Sequence, residues 1–320
     1  MRLFKVMGPL AAFMLAGVLT ATAPAQAQAP LKLLTGAKGG TFFEYGDAAA
    51  KFISAETGLA IAVEPSGGSY DNIRALHEAK ADLGLVAMGP GFEAWNNSAA
   101  WTKGDTMRKL RALFPMYETP FHMGVSSDAG IASIAALDGK RVGVGPENGP
   151  GAAMFRDMAA ELKIKPEIVF GAPQTLADDL IASRLDAFFF GAGVPVPAYQ
   201  QMADRDRLRL LPLDGAAAAA LRKHYPYLVD SAIPAATYKG QPQPVPAVSV
   251  WNFVAAREGL DDETAYRITK AMMADPAKAT RIHVTAAGST AANVKANTFM
   301  PFHSGAVRYF KEAGVPLAVP

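Results

Sequence analysis

The chain predicts an α/β protein of two lobes, each a mostly parallel sheet flanked by helices, with two strands crossing between them. Three observations carry this expectation. Short apolar runs recur with helix-like stretches between them, which is βαβ rhythm. Two glycine-rich loops, Gly36-Ala-Lys-Gly-Gly-Thr41 and Ser66-Gly-Gly-Ser69, each stand between an apolar run and an amphipathic one. The length left after the N-terminal segment, about 290 residues, exceeds what one core usually holds.

That segment comes first in chain order. Arg2 and Lys5, an apolar run from Val6 to Leu19, and Ala25-Gln-Ala27-Gln-Ala29 have the layout of a secretory signal. Pro30 is a poor first mature residue, so residues 1–27 are the expected signal peptide. Nothing after it approaches the roughly 20 apolar residues of a membrane span. Cysteine is absent, which excludes disulfides, a thiolate nucleophile, a Cys-based metal site and a lipid-modified cysteine at the cleavage point. A secreted chain with no lipid anchor needs an enclosure, and the periplasm is the simplest. The whole chain carries 31 basic and 29 acidic residues. Removing Arg2 and Lys5 leaves the mature chain formally neutral, so neither nucleic acid nor an anionic membrane surface is an expected partner.

Strands are expected at Leu31 to Leu34, Ile61 to Glu64, Leu83 to Ala87, Met123 to Ser126, Arg141 to Gly145, Glu167 to Phe170, Asp186 to Phe190, Leu208 to Leu211 and Val248 to Ala255. Thr41-Phe-Phe-Glu44 reads as a capping box, with a helix starting at Phe42. Ser69 repeats the arrangement ahead of a helix from Tyr70 to Lys80. A helix from Ala152 to Leu162 crosses between Arg141 and Phe170, the Ala216 to Ala220 run continues as helix into Arg222, and a capped helix starts around Asp261 or Asp262. The crossings fall at Tyr117 to Met123 and at Val248 to Ala255. One lobe then comprises 28–118 and 254–320, the other 119–253. The Pro-rich stretch Tyr238 to Pro246 reads as a surface connection with no role of its own.

The loops are the chemical signal. Gly39 and Gly40 leave amides unshielded ahead of a helix dipole, and Ser66 to Ser69 repeat this on the neighbouring strand. Two such N-termini could converge on one anionic group at the carboxyl edge of the sheet. Gly145-Pro-Glu-Asn-Gly-Pro-Gly151 is the second lobe's counterpart, but it lacks the Lys-Ser/Thr of a P-loop and the glycine spacing of a dinucleotide site, so no nucleotide is expected. Gly191 and Gly193 close another strand at the same edge. His77, His122, His224, His283 and His303 show no metal-ligand spacing, and no Gly-x-Ser-x-Gly elbow or other catalytic constellation can be placed. The acids Asp178-Asp179 and Asp261-Asp262 read as helix faces or caps, and Trp95, Trp101 and Trp251 as packing residues. No metal, cofactor or catalytic residue is expected.

The order of motifs resembles the TAXI family of solute receptors, the extracytoplasmic subunits of tripartite ATP-independent periplasmic (TRAP) transporters. The matching pieces are Thr35-Gly-Ala-Lys-Gly-Gly-Thr41, Ser66-Gly-Gly-Ser-Tyr-Asp-Asn72, Ala81-Asp-Leu-Gly-Leu85, Leu137-Asp-Gly-Lys-Arg-Val-Gly-Val-Gly145, Leu185-Asp-Ala-Phe-Phe-Phe-Gly-Ala-Gly-Val-Pro195, Ile233-Pro-Ala-Ala-Thr-Tyr238 and Pro301-Phe-His-Ser-Gly-Ala-Val-Arg-Tyr309. The resemblance implies a type II periplasmic-binding fold, capture of a small organic acid such as glutamate or 2-oxoglutarate, and delivery by a monomeric receptor to an ion-coupled membrane permease. The chain departs from the family at two places. Phe42 and Phe43 stand where aromatic hydroxyls are usual, and Gly149-Pro150-Gly151-Ala152 replaces Gly-Ser-Gly-Thr, with a loop about one residue longer. That exchange removes two hydroxyl donors and one backbone N–H.

The expected ligand contacts are therefore Gly39, Gly40, Thr41, Phe42, Ser66, Gly67, Gly68 and Ser69, with Asn72 as a side-chain partner, for the acid end. Glu147, Asn148, Gly149, Gly151, Ala152, Ala153, Gly191 and Gly193 close over the other end, and Met88 is a further selective contact. Two other functions are alternatives: a ligand-sensing adaptor for a membrane kinase, which would share the pocket, and a periplasmic hydrolase on the same fold using His77 or His122, against which the absence of a placed nucleophile argues.

Overall fold

The computed structural model describes Met1 and residues 29–38, 41–147, 149–275, 277 and 282–318. The rest of the expected signal peptide, Gly39, Gly40 and Asn148 lie outside them. One open sheet of mixed α/β architecture runs through the molecule in the order β2 (Ile61–Glu64), β1 (Leu31–Leu34), β3 (Leu83–Ala87), β10 (Val245–Arg257), β4 (Leu110–Val125), β7 (Ala187–Gly191), β5 (Arg141–Gly143), β6 (Glu167–Val169), with β8 (Arg209–Leu211) on β4 and β9 (Val229–Ile233) on β10.

The first half is β1 (Leu31–Leu34), β2 (Ile61–Glu64) and β3 (Leu83–Ala87), all parallel, with α1 (Thr41–Thr57) and α2 (Ser69–His77) as crossovers. Leu31 and Leu33 alternate inward on β1, and β3 is buried almost along its length. The second half repeats the plan with β5 (Arg141–Gly143), β6 (Glu167–Val169) and β7 (Ala187–Gly191), again parallel, with α4 (Pro150–Glu161) and α5 (Pro173–Ile181) between them. The repeat has a shared device at the amino edge. Asp82, just before β3, accepts the Lys32 amide of β1 at 2.9 Å and pairs with Arg257. Asp186, just before β7, accepts the Arg141 amide of β5 at 2.9 Å and pairs with the Arg141 guanidinium, which holds its carboxyl below the usual range. In each half one carboxylate satisfies a free amide at the start of the leading strand.

Two long strands belong to both halves. β4 (Leu110–Val125) pairs with β10 (Val245–Arg257) up to Pro120, then with β7 from Phe121 onward and with β8 (Arg209–Leu211). β10 pairs first with β9 (Val229–Ile233) and then with β3. The sequence marked Met123 to Ser126 as a strand and Tyr117 to Met123 as a crossing; β4 joins the two and reaches back to Leu110. Pro115 faces Phe253 beside a register shift, where the ladder is already irregular, and Pro120 sits where β4 leaves β10.

Proline also stands in the first turn of α3 (Met88–Asn96), α5 and α6 (Pro197–Asp204). There it removes an amide that has no intrahelical acceptor. α7 (Gly215–His224) follows the predicted alanine run, and α8 (Asp262–Met273) is capped by Asp261, whose Oδ2 accepts from the Thr264 amide at 2.8 Å. α9 (Ser304–Glu312) is capped by His303, which is buried: its Nε2–H donates to the Leu260 carbonyl at 3.0 Å and its Nδ1 accepts from the Gly305 amide at 3.3 Å. α8 and α9 pack so closely that a Cβ on Gly305 would lie 2.2 Å from the Asp262 carbonyl oxygen.

Candidate functional site

The carboxyl ends of β1, β2 and β3 and those of β5 and β7 open on one cleft of about 450 Å³. This is the edge at which open α/β sheets take ligands. Another groove, about 500 Å³, lies against Glu118 and Trp251 and touches no glycine loop or parallel strand end. Volume does not choose between them; the convergence of strand ends does.

From the first half come Thr41 and Phe42 at the start of α1, Gly67, Ser69 and Tyr70 at the start of α2, and Ala87, Gly89, Pro90 and Glu93 on β3 and α3. In the first half three helix N-termini thus face the cleft, one more than the sequence indicated there. The shared strands supply Tyr117, Thr119 and Phe121 of β4 and Val250 and Asn252 of β10, each set spaced by two because alternate side chains share a face. Pro150 and Met154 of α4, Gly191 to Gly193 at the end of β7, and Tyr227 before β9 complete the wall.

Of the residues expected from sequence, Thr41, Phe42, Gly67, Ser69, Gly191 and Gly193 line this cleft. Others do not, and each has a physical reason. α1 begins at Thr41, not Phe42, and Glu44 of the expected capping box lies 3.6 Å from His283. Ser69 is the first residue of α2 rather than its cap; Gly68 precedes it at φ +99°, and the Ser69 hydroxyl accepts from the Ala87 amide at 3.0 Å, tying α2 to β3. Asn72 is wholly buried and its carboxamide is spent on the fold: Nδ2 donates to the carbonyls of Thr35 at 2.7 Å and Leu85 at 2.8 Å, and Oδ1 lies 2.7 Å from the Ser66 hydroxyl. Ser66 in turn accepts from the Gly68 amide at 3.1 Å, so Ser66, Gly68 and Asn72 form the scaffold under the loop.

In the second half, α4 begins at Pro150 with Gly149 as its N-cap, two residues before the predicted Ala152. The helix face then presents Pro150 and Met154, an i, i+4 pair, to the cleft. Gly151 and Ala152 turn into the core, Ala153 and Glu147 face outward, and Met88 is buried behind the wall. A Cβ on Gly151 would lie 3.0 Å from the Val144 carbonyl, which explains the glycine without a ligand.

The electrostatics are one-sided. Among the described residues no Lys, Arg or His lines the cleft, and its one acid is Glu93, whose carboxyl is raised by burial. Burial also raises the Tyr70, Tyr117 and Tyr227 hydroxyls, which are therefore neutral donors near pH 7. The sequence puts Phe42 where a hydroxyl is usual, and Tyr117 packs edge-on against that ring at 6.3 Å, bringing a hydroxyl from β4 to the cleft instead. Asn252 donates to the Tyr117 carbonyl at 2.9 Å and the Thr119 hydroxyl at 3.0 Å, fixing the two shared strands to each other. Tyr117, Asn252 and Tyr227 have no local signature, and only the strand alternation around Tyr117 to Phe121 points to the cleft.

The two candidate bases lie elsewhere. His122 is fully buried with both ring nitrogens bonded, Nδ1 to the Pro120 carbonyl at 3.0 Å and Nε2 to the Tyr238 hydroxyl at 2.9 Å. Tyr238 also accepts from the Val196 amide at 3.0 Å, so the Pro-rich stretch has a role after all: its first residue pins the segment after Gly193. His77 points to Asp105 at 3.7 Å, away from the cleft lining. Among the described residues no group of three or more His, Asp or Glu is placed to hold a metal ion, and no helix is long and apolar enough to cross a membrane.

Comparison with known proteins fits this geometry. A sequence model described as the NMT1-like family matches residues 33–314. Among solved structures, a TctC solute-binding protein from Polaromonas is 16% identical, with a TM-score of 0.51 over 81% of this chain and 86% of that one. A structure described as a periplasmic transporter is 14% identical, with a TM-score of 0.50 over 91% of this chain and 94% of that one. At these identities the likeness is one of fold.

Proposed function

Because this chain belongs to the NMT1-like family, whose family and fold match non-catalytic solute-binding proteins, we propose that it is a periplasmic receptor for a small organic acid. The observation that carries the reading is the cleft between the two halves of the sheet, onto which five parallel strand ends and the N-termini of α1, α2 and α3 open. Thr41, Ser69 and the first amides of α1 and α2 hold the acid end. Pro150, Met154 and Gly191 to Gly193 close over the rest.

The finer reading is a TAXI-type receptor that delivers its solute as a monomer to the membrane permease of a TRAP transporter, exported by the signal peptide 1–27. Its lobes are 28–118 with 254–320, and 119–253, hinged on β4 and β10. The motifs quoted above support the subtype, and the sharing of those two strands by both halves supports the hinge. Calorimetry against a panel of mono- and dicarboxylates, with small-angle scattering of the same samples, tests the proposal. It expects stoichiometric binding and a smaller radius of gyration at saturation; acids that fail to bind, or an unchanged profile when they do, contradict the receptor and the hinge respectively.

A further inference from the structure

Glu93 is an acid at a site read as a receptor for acids, and its surroundings make it more than a bystander. Its Oε2 accepts the Trp101 indole N–H at 2.7 Å, while Oε1 has no hydrogen-bond partner among the described residues. Tyr70, which also lines the cleft, packs edge-on against Trp101 at 4.7 Å, and Tyr227 packs against Phe92, the neighbour of Glu93, at 5.7 Å. The Tyr227 ring lies so close over the start of α3 that a Cβ on Gly89 would be 3.0 Å from it. The carboxylate therefore stands half-buried in an aromatic corner of a cleft whose described lining has no basic residue. A charge in that position needs a counter-ion, and aromatic faces add attraction for a cation.

We propose that Glu93, held by Trp101 and flanked by Tyr70 and Tyr227, is a subsite for a cationic nitrogen bearing N–H, carried by an acid with an apolar, ring-sized frame. This rests on the receptor reading above. The frame follows from the rest of the wall, where Phe42, Phe121, Met154 and Val250 are apolar. Burial raises the Glu93 carboxyl, and the charge of a cation bound beside it offsets that cost by favouring the ionised form.

The test is calorimetry on the full mature chain at pH 7 with three probes of one frame: 3-phenylpropanoate, phenylalanine and 2-phenylethylamine. Phenylalanine binds about ten- to a hundredfold tighter than 3-phenylpropanoate, the range of a hydrogen bond between charged groups. Glu93→Gln, which keeps an acceptor for the Trp101 indole, abolishes that preference and tightens 3-phenylpropanoate by removing a like charge. The wild-type comparison stands even if the variant misfolds. Tighter or equal binding of 3-phenylpropanoate by the wild type, or an ammonium preference that survives Glu93→Gln, overturns the subsite. Glu93-dependent binding of 2-phenylethylamine with neither acid bound overturns the acid reading and leaves the subsite standing, and binding of none of the three overturns both.

Discussion

The Tyr238 hydroxyl donates to Nε2 of the buried His122 across 2.9 Å. The direction is fixed because Nδ1 lies 3.0 Å from the Pro120 carbonyl, which can only accept, so the neutral ring carries its proton there. The same hydroxyl accepts from Val196, three residues after the cleft-lining Gly193. One tyrosine thus ties β4 to the segment that follows β7.

Tyr238→Phe removes that tie and leaves both the His122 nitrogen and the Val196 amide unpaired in a buried place. The expected loss is about 1–3 kcal/mol of stability, read as a lower urea midpoint at unchanged slope. Ligand affinity falls with it, because the Gly191 to Gly193 wall loses its anchor.

Acid sensitivity follows from the same ring. Burial holds the His122 imidazole down at about 4, against an ordinary value of 6.5. The unfolded chain therefore binds a proton that the folded chain refuses. The stability it contributes is complete above pH 6.5 and is lost as pH falls towards 4, by about 3 kcal/mol. His303, also lowered by burial, adds to the fall with the same sign. Urea midpoints measured from pH 7 to pH 4 should show a steeper decline in the wild type than in His122→Asn.

Asn72→Ala separates scaffold from contact. Its carboxamide joins the ends of β1 and β3 to Ser66, so truncation leaves two buried carbonyls short of a donor. The variant should lose about 2–4 kcal/mol by chemical unfolding. At a temperature where it stays folded, its affinity should change less than that of Ser69→Ala, whose hydroxyl lines the cleft and ties α2 to β3. The opposite order would return Asn72 to the ligand.

Pro150 and Ala152 also part ways. Pro150→Ser restores an amide and a hydroxyl on the cleft wall and should tighten carboxylate ligands about tenfold or more. Ala152→Thr, at a fully buried position, should instead destabilise by about 1–3 kcal/mol without changing the ranking of ligands. Competition calorimetry and urea unfolding of the two single variants distinguish these effects.

The first half was legible in the sequence because its signals are local. Leu31 and Leu33 alternate, and Gly68 supplies a left-handed turn that other residues resist. No helix was named over α3, α5 or α6, whose first turns hold Pro90, Pro173 and Pro197, where a missing amide costs nothing. Without α3, Glu93 had no place. Trp101, read as packing, supplies its indole N–H to that carboxylate, and Tyr227 arrives from a loop distant in sequence; only tertiary structure brings them together.

Native mass spectrometry of the purified mature chain, followed by release under denaturing conditions, tests the central claim most directly. Gly193 borders the cleft, and a Cβ added to it would meet nothing nearer than Tyr117 at 3.8 Å, so Gly193→Trp fills the cleft without a backbone clash. The account predicts one organic acid per wild-type chain, released chemically unchanged, and none on Gly193→Trp. Equal occupancy of the two proteins, or a solute recovered as a reaction product, would contradict it.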